Sequence, residues 1–336
     1  MSVKRGTRVA GVALTVVLGA GLGVAYDPYL LVRAQFERQR VNAGLVETDA
    51  VVAGHRWVIA QADDAPPGAP TVVMVHGFTG SKENWYPLAA KLRGRYRMLA
   101  PDLPGWGESE RKPGADYGFV AQAERVAAFI RAQSPGKPVI LLGHSMGGGI
   151  AALVAARHPR LVAKVALLDA AGVRFNDNQF GLDVLAGKNP FGVDDAASLQ
   201  RYIDIVFHRE AAKPWIPWPA SRGLIARRKQ DAAFEQAVLE RIGRGPEQFL
   251  PGQEAANIRQ PALLLWGRQD AVIDPSALDL YAALVPQART VLVDDAGHMA
   301  LMEQPRAVAD AVVDLIDNNQ AGRIVTTDRN YQEAPP

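Results

Sequence analysis

Residues 139–153 read Val-Ile-Leu-Leu-Gly-His-Ser-Met-Gly-Gly-Gly-Ile-Ala-Ala-Leu: an apolar run, a serine between glycines, then an alanine-rich periodic segment. The run suits a strand buried on both faces and the following segment has helical spacing, so the chain must turn sharply at Ser145. Such a turn forces its central residue toward unfavourable φ/ψ, and side chains on its neighbours would collide. Gly143 and Gly147 bracket the serine as G-x-S-x-G. The result is a hydroxyl raised over a helix N-terminus, where backbone N–H groups favour negative charge. A glycine-rich turn that serves only close packing is the competing reading, and the strand and helix on either side weigh against it.

The same rhythm runs through the chain. Thr71 to Gly80, Tyr96 to Ala100, Val162 to Leu168, Ala262 to Gly267 and Thr290 to Val293 read as strands, with helix-spaced segments between them. Alternation of this kind predicts an α/β fold, a mostly parallel sheet with helices on both faces. Before it, residues 47–61 suggest an antiparallel hairpin around Ala53-Gly54, with His55 a surface residue of the second strand. From about residue 172 to 258 long apolar strands give way to short helical pieces, an inserted helical cap. Within it, Lys213-Pro-Trp-Ile-Pro-Trp-Pro219 holds two tryptophans between prolines. Trp215 and Trp218 are candidates to line a substrate pocket or touch lipid, or else to pack the cap on the core.

The N-terminus sets a second constraint. No charge interrupts the stretch between Arg8 and Asp27, which as a helix reaches ~27 Å, enough to cross a hydrocarbon core. Residues 1–26 are therefore expected to be a membrane anchor, with the globular part extracytoplasmic, or else a cleaved signal that releases a secreted protein. Residues 27–46 read as an amphipathic linker helix, lying on a membrane or packed on the domain. The hydrolytic domain would span 47–318, and residues 319–336 a polar tail without motif. Charge adds little: 37 Lys+Arg against 35 Asp+Glu give +2, which offers nucleic acid no electrostatic footprint. With no cysteine, thiol catalysis, disulfides and cysteine-ligated zinc are excluded.

A serine hydroxyl needs a base, and the base needs a carboxylate to hold its tautomer. Of six histidines only His298 lies in a glycine-flanked loop after a late strand, downstream of Ser145 and of a strand-end aspartate, Asp270. Asp274 is the rival acid. Asp294 and Asp295 are too close to His298 in sequence to reach it from behind and read as loop residues, as does Asp102 in its turn-rich segment. His76 reads as a structural residue that orients its loop; His158 and His208 read as surface or capping residues.

The His76-Gly-Phe loop, Asp102-Leu-Pro-Gly-Trp-Gly-Glu-Ser109, Gly143-His-Ser-Met-Gly147, Trp266-Gly-Arg-Gln-Asp270 and Gly297-His298 together resemble the α/β-hydrolase superfamily over about residues 47–318. With the N-terminal span, the chain is similar to membrane-tethered monoacylglycerol lipases of the α/β-hydrolase-domain family and related bacterial lipases. The resemblance implies the chain order Ser145, Asp270, His298 and an oxyanion hole from the backbone N–H groups of Phe78 and Met146. It implies a carboxylic ester hydrolase acting without cofactor or metal on a lipid-derived ester, at a membrane surface. Meta-cleavage carbon–carbon hydrolases share several of these motifs, so that activity stands as the alternative, as does a non-catalytic ligand sensor on the same fold.

Overall fold

The computed structural model describes residue 23 and residues 25–318. The expected anchor over 1–26 and the polar tail over 319–336 lie almost wholly outside the described residues. Among those described, no helix is long and apolar enough to cross a membrane.

Helix α1 (Tyr29–Asn42) leads into the hairpin β1 (Val46–Val52) and β2 (His55–Ala62). Then follow β3 (Thr71–Val75), α2 (Tyr86–Leu92), β4 (Arg97–Pro101), α3 (Phe119–Gln133), β5 (Val139–His144), α4 (Met146–Arg157) and β6 (Val162–Leu168). Four helices come before the next strand: α5 (Gln179–Leu185), α6 (Ala196–Val206), α7 (Ala220–Arg244) and α8 (Leu250–Ala255). The chain closes with β7 (Ala262–Gly267), α9 (Ser276–Leu284), β8 (Arg289–Val293), α10 (Ala300–Glu303) and α11 (Pro305–Asp317). The eight strands form one sheet in the order β1-β2-β4-β3-β5-β6-β7-β8. Only the pairs β1–β2 and β2–β4 are antiparallel; from β4 to β8 neighbours run parallel.

Side-chain character follows position in the sheet. Every residue of β5 and β7, in the interior, is buried, whereas edge strand β1 buries only Val52. Covering a Val or Leu side chain is worth ~1.5–3 kcal/mol, which is why unbroken apolar runs occupy the interior strands. On β2 the outcome differs from expectation. His55 is buried because it shares a strand face with Trp57, two residues on, and Trp57 stacks on Phe129 of α3 with ring centroids 4.9 Å apart.

Helix α1 has no buried residue of its own but packs against α7 and α2, and Arg33 pairs with Glu108 at 3.4 Å. The segment expected to be an amphipathic linker thus packs on the domain along one side. Within the expected cap, α5 and α7 bring Phe180, Val184, Leu239 and Ile242 to the cavity that Ser145 lines at the C-terminal end of β5. Helix α8 packs instead against α4 of the core, with Pro251 beside Gly149 and Gly172.

Candidate active site

Ser145 sits between the last residue of β5 and the first of α4, with φ 56° and ψ −120°, left-handed backbone that a non-glycine residue rarely adopts. The conformation is held from several sides. The Ser145 N–H donates to Leu168 O at 2.9 Å, and Ser145 O accepts from the N–H groups of Gly148 and Ala171. A Cβ on Gly143 would fall 2.2 Å from Gly147 O, and one on Gly147 2.2 Å from Val75 O. The bracketing glycines are thus required by close approach of backbone to backbone.

His298 follows β8 and Asp270 follows β7, so both arrive at the strand ends where Ser145 stands. The His298 Nδ1–H donates to Asp270 Oδ2 at 2.8 Å. Its Nε2, left unprotonated, lies 2.9 Å from Ser145 Oγ and accepts the hydroxyl proton. All three side chains are buried. Asp270 is fixed by its second oxygen, which accepts from the N–H groups of Val272 (2.7 Å) and Ile273 (3.0 Å). Asp274, the rival acid, accepts from Ser276 N–H at 2.9 Å and starts α9. Asp294 pairs with Arg268, and Asp295 faces Arg209 and His208.

The loop after β3 closes over the serine. His76 is fully buried, its Nδ1–H donating to Gly77 O at 2.8 Å and its Nε2 accepting from Leu103 N–H at 2.9 Å. Burial brings its pKa down to about 4, so the ring is a neutral strut. Asp102 accepts from Lys82 N–H, Glu108 N–H and Lys82 Nζ, holding the turn-rich segment as expected of it. Outside the helices and strands, no backbone acceptor among the described residues engages the N–H of Phe78 or Met146, and both residues line a cavity with Ser145.

Three residues that sequence reasoning passed over complete the site. His144 Nε2–H donates to His298 O at 2.7 Å, and burial, with His298 nearby, lowers its pKa to about 3. Buried Glu303 accepts from Gly297 N–H (2.8 Å), His208 N–H (2.9 Å) and Arg209 N–H (2.6 Å), joining the His298 loop to the cap. Asp169 follows β6 with φ 47°, fully buried, with Oδ1 accepting from Gly267 N–H at 2.8 Å and Oδ2 unpartnered. Burial, reinforced by the charge of adjacent Asp270, raises the Asp169 pKa well above its ordinary value. A signal existed for two of them. His144 lies inside the G-x-S-x-G stretch, and Asp169 ends a buried strand as Asp270 does.

Two cavities lie near this point, and only the first is lined by Ser145. One, of about 100 Å³, is lined by Ser145, Met146 and Phe78 with Phe180, Val184, Phe191 and Ile242 of the cap region. The other, of about 690 Å³, lies between α1, the cap and the core and reaches Thr79 and Met299, the residues next to Phe78 and His298. Trp215 and Trp218 are absent from the lining of the cavity at Ser145 and stand 82% and 77% exposed. Trp215 borders the wider cavity instead. Among the described residues no group of three or more His, Asp or Glu side chains is placed to hold a metal ion.

A family model described as "Alpha/beta hydrolase family" matches residues 72–311. Lipase 3 of Moraxella sp. (strain TA144) is 28% identical over 277 residues, covering 82% of this chain and 85% of that one. Monoacylglycerol lipase ABHD6 of Rattus norvegicus is 28% identical over 273 residues, covering 76% and 79%. A solved membrane phospholipase A, described as a novel bacterial virulence factor, superposes with a TM-score of 0.80 at 32% identity, covering 92% of this chain and 98% of that one.

Proposed function

The chain belongs to the alpha/beta hydrolase family, and from that premise we propose that it hydrolyses lipid-derived carboxylic esters through Ser145, His298 and Asp270. That it is a carboxylic ester hydrolase agrees with the names of its relatives, two lipases and a phospholipase. The observation that carries the residue assignment is the continuous chain of hydrogen bonds from Ser145 Oγ through His298 to Asp270 Oδ2, at 2.9 and 2.8 Å.

In this reading His298 Nε2 takes the Ser145 proton as Oγ attacks the ester carbonyl, and Asp270 stabilises the imidazolium. The N–H groups of Phe78 and Met146 hold the oxyanion, helped by the N-terminus of α4. Collapse of the tetrahedral species passes the proton from His298 to the leaving alcohol and leaves an acyl-serine. His298 then deprotonates water, which releases the fatty acid and restores Ser145. The cavity of about 100 Å³ at Ser145, walled by phenylalanine and aliphatic side chains, suits an acyl chain.

Membrane association belongs to the same proposal, with residues 1–26 as anchor and the hydrolytic domain outside the cytoplasm. Hydrolysis of p-nitrophenyl esters by the purified chain, abolished in Ser145→Ala, tests the chemistry; equal rates for the two proteins would overturn it. A ring-cleavage dienoate in the same assay tests the carbon–carbon alternative, and fluorophosphonate labelling of Ser145 excludes a silent sensor. Fractionation with and without residues 1–26 tests the anchor: a truncated chain still in the membrane pellet removes its role.

A further inference from the structure

Of the six tryptophans in the chain, Trp57, Trp85, Trp106 and Trp266 are buried. The remaining two, Trp215 and Trp218, are 82% and 77% exposed on the same short loop, Lys213–Pro219. Three prolines in that loop fix φ and hold the indoles outward with little freedom to fold back. Large apolar groups held in water this way mark a surface meant for a partner.

The N-terminal helix identifies the partner. A Cβ built on Gly223, five residues after Trp218, would fall 2.3 Å from Tyr29 N, so the start of α1 lies directly on the start of α7. Just upstream, Tyr26 is 94% exposed, and Leu30 and Leu31 are 39% and 40% exposed. Tyr26 is also the last residue of the uncharged stretch that follows Arg8. The most apolar stretch of the chain therefore enters the fold beside the two exposed indoles. Tyr29, Leu31 and Trp215 border one cavity, the one of about 690 Å³ that reaches Thr79 and Met299.

We infer that the loop Lys213–Pro219 and the beginning of α1 form one face that lies on a lipid bilayer, with Trp215 and Trp218 inserted at the headgroup level. Indole suits that depth, since its ring is apolar and its N–H still finds water or lipid oxygen. Exposed Arg222, four residues past Trp218, adds attraction to anionic headgroups. On the lipid-ester reading above, on which this inference rests for its purpose, the wide cavity takes lipid from the bilayer to Thr79 and Met299, the residues next to Phe78 and His298.

The test uses the full chain reconstituted in phosphatidylcholine–phosphatidylglycerol vesicles, with or without bromine on the acyl chains, and reads tryptophan emission. Bromine quenches by contact; Trp57, Trp85 and Trp266 are fully buried and Trp106 borders the wide cavity, so the part of the quenching that the double variant loses reports Trp215 and Trp218. The expected result is a drop in emission with brominated lipid that is lost in the Trp215→Phe/Trp218→Phe double variant. Ser145→Ala should quench as the wild type does. An unquenched wild-type protein overturns the inference, as does a double variant quenched to the same extent. So does emission that shifts with protein concentration and ignores lipid, which assigns the face to a second copy of the chain. Should quenching occur while no ester is hydrolysed, docking stands and the hydrolase reading falls.

Discussion

His144 Nε2 lies 2.7 Å from the carbonyl oxygen of His298, so the residue before Ser145 holds the backbone of a residue 154 positions away, the same one whose ring bonds Ser145 Oγ. With a pKa of about 3 the His144 ring is neutral, and its N–H is the donor throughout the working range. His144→Ala leaves a buried carbonyl unpaired, which costs ~1–3 kcal/mol. The resulting freedom of the imidazole is expected to lower kcat on a soluble ester by about 10- to 100-fold. His144→Gln, which keeps an N–H, should recover part of both. Thermal melts and kcat measured together check this; unchanged values for His144→Ala would make the tether idle.

Asp270 and Asp274 separate by the same logic. Asp270→Asn is expected to lose about 10⁴ in kcat, the magnitude known for the equivalent serine-protease substitution, because the amide favours the wrong imidazole tautomer. Asp274→Asn touches only the start of α9 and should stay within a few-fold of wild type. Steady-state kinetics of the two variants decide the assignment of the acid.

Asp169 offers a test of the buried carboxyl group behind the site. Its left-handed φ of 47° suits Asn, whose amide can also donate to Asp270, so Asp169→Asn should retain most activity. Asp169→Leu has neither property and leaves Gly267 N–H without its acceptor. It should lose stability by ~1–3 kcal/mol and activity along with it. Equal kcat for the Asn and Leu variants would show that no polar group is needed beside Asp270.

Glu303 binds three backbone N–H groups from two segments, and no neutral isostere can accept at both oxygens. In Glu303→Gln one N–H group or pair faces an amide donor, a loss of ~1–3 kcal/mol that lowers Tm by a few degrees. Because the His298 loop and the cap share this carboxylate, differential scanning calorimetry and kcat should fall together.

Glu235 gives a pH dependence of definite sign. Burial pushes its pKa up to about 7, against the opposing pull of Arg228 at 3.1 Å, with Asp231 and Arg111 also near. The folded protein therefore holds a proton that the unfolded chain releases from about pH 4.5 upward. Its stabilising contribution is present below the unfolded value and is lost as pH rises through about 7, with an upper bound of about 3 kcal/mol. Measured as the Tm difference between wild type and Glu235→Gln, the variant should gain on wild type between pH 5 and pH 8. A difference that stays flat over that interval would return the Glu235 pKa to the ordinary range.

Local rules made much of this protein legible from residues alone. Apolar runs such as Val139–Leu142 and Ala262–Leu265 announce interior strands because a strand covered on both faces has no polar side to show. Gly143 and Gly147 announce the serine turn because the backbone clash they avoid is local to that turn. What sequence could not reveal lies where distant segments meet. His55 reads as a surface residue until Phe129 stacks on Trp57, its neighbour on the strand face, and the part played by Asp169 emerges only once Asp270 is beside it. Trp215 and Trp218 were candidates for a pocket, yet their exposure follows from how three prolines and the packing of α1 on α7 aim the loop. Periodicity and steric need act between neighbours in the chain and are written there. Hydrogen-bond partners, burial and pKa arise between residues whose proximity only folding creates, and these tertiary structure alone decides.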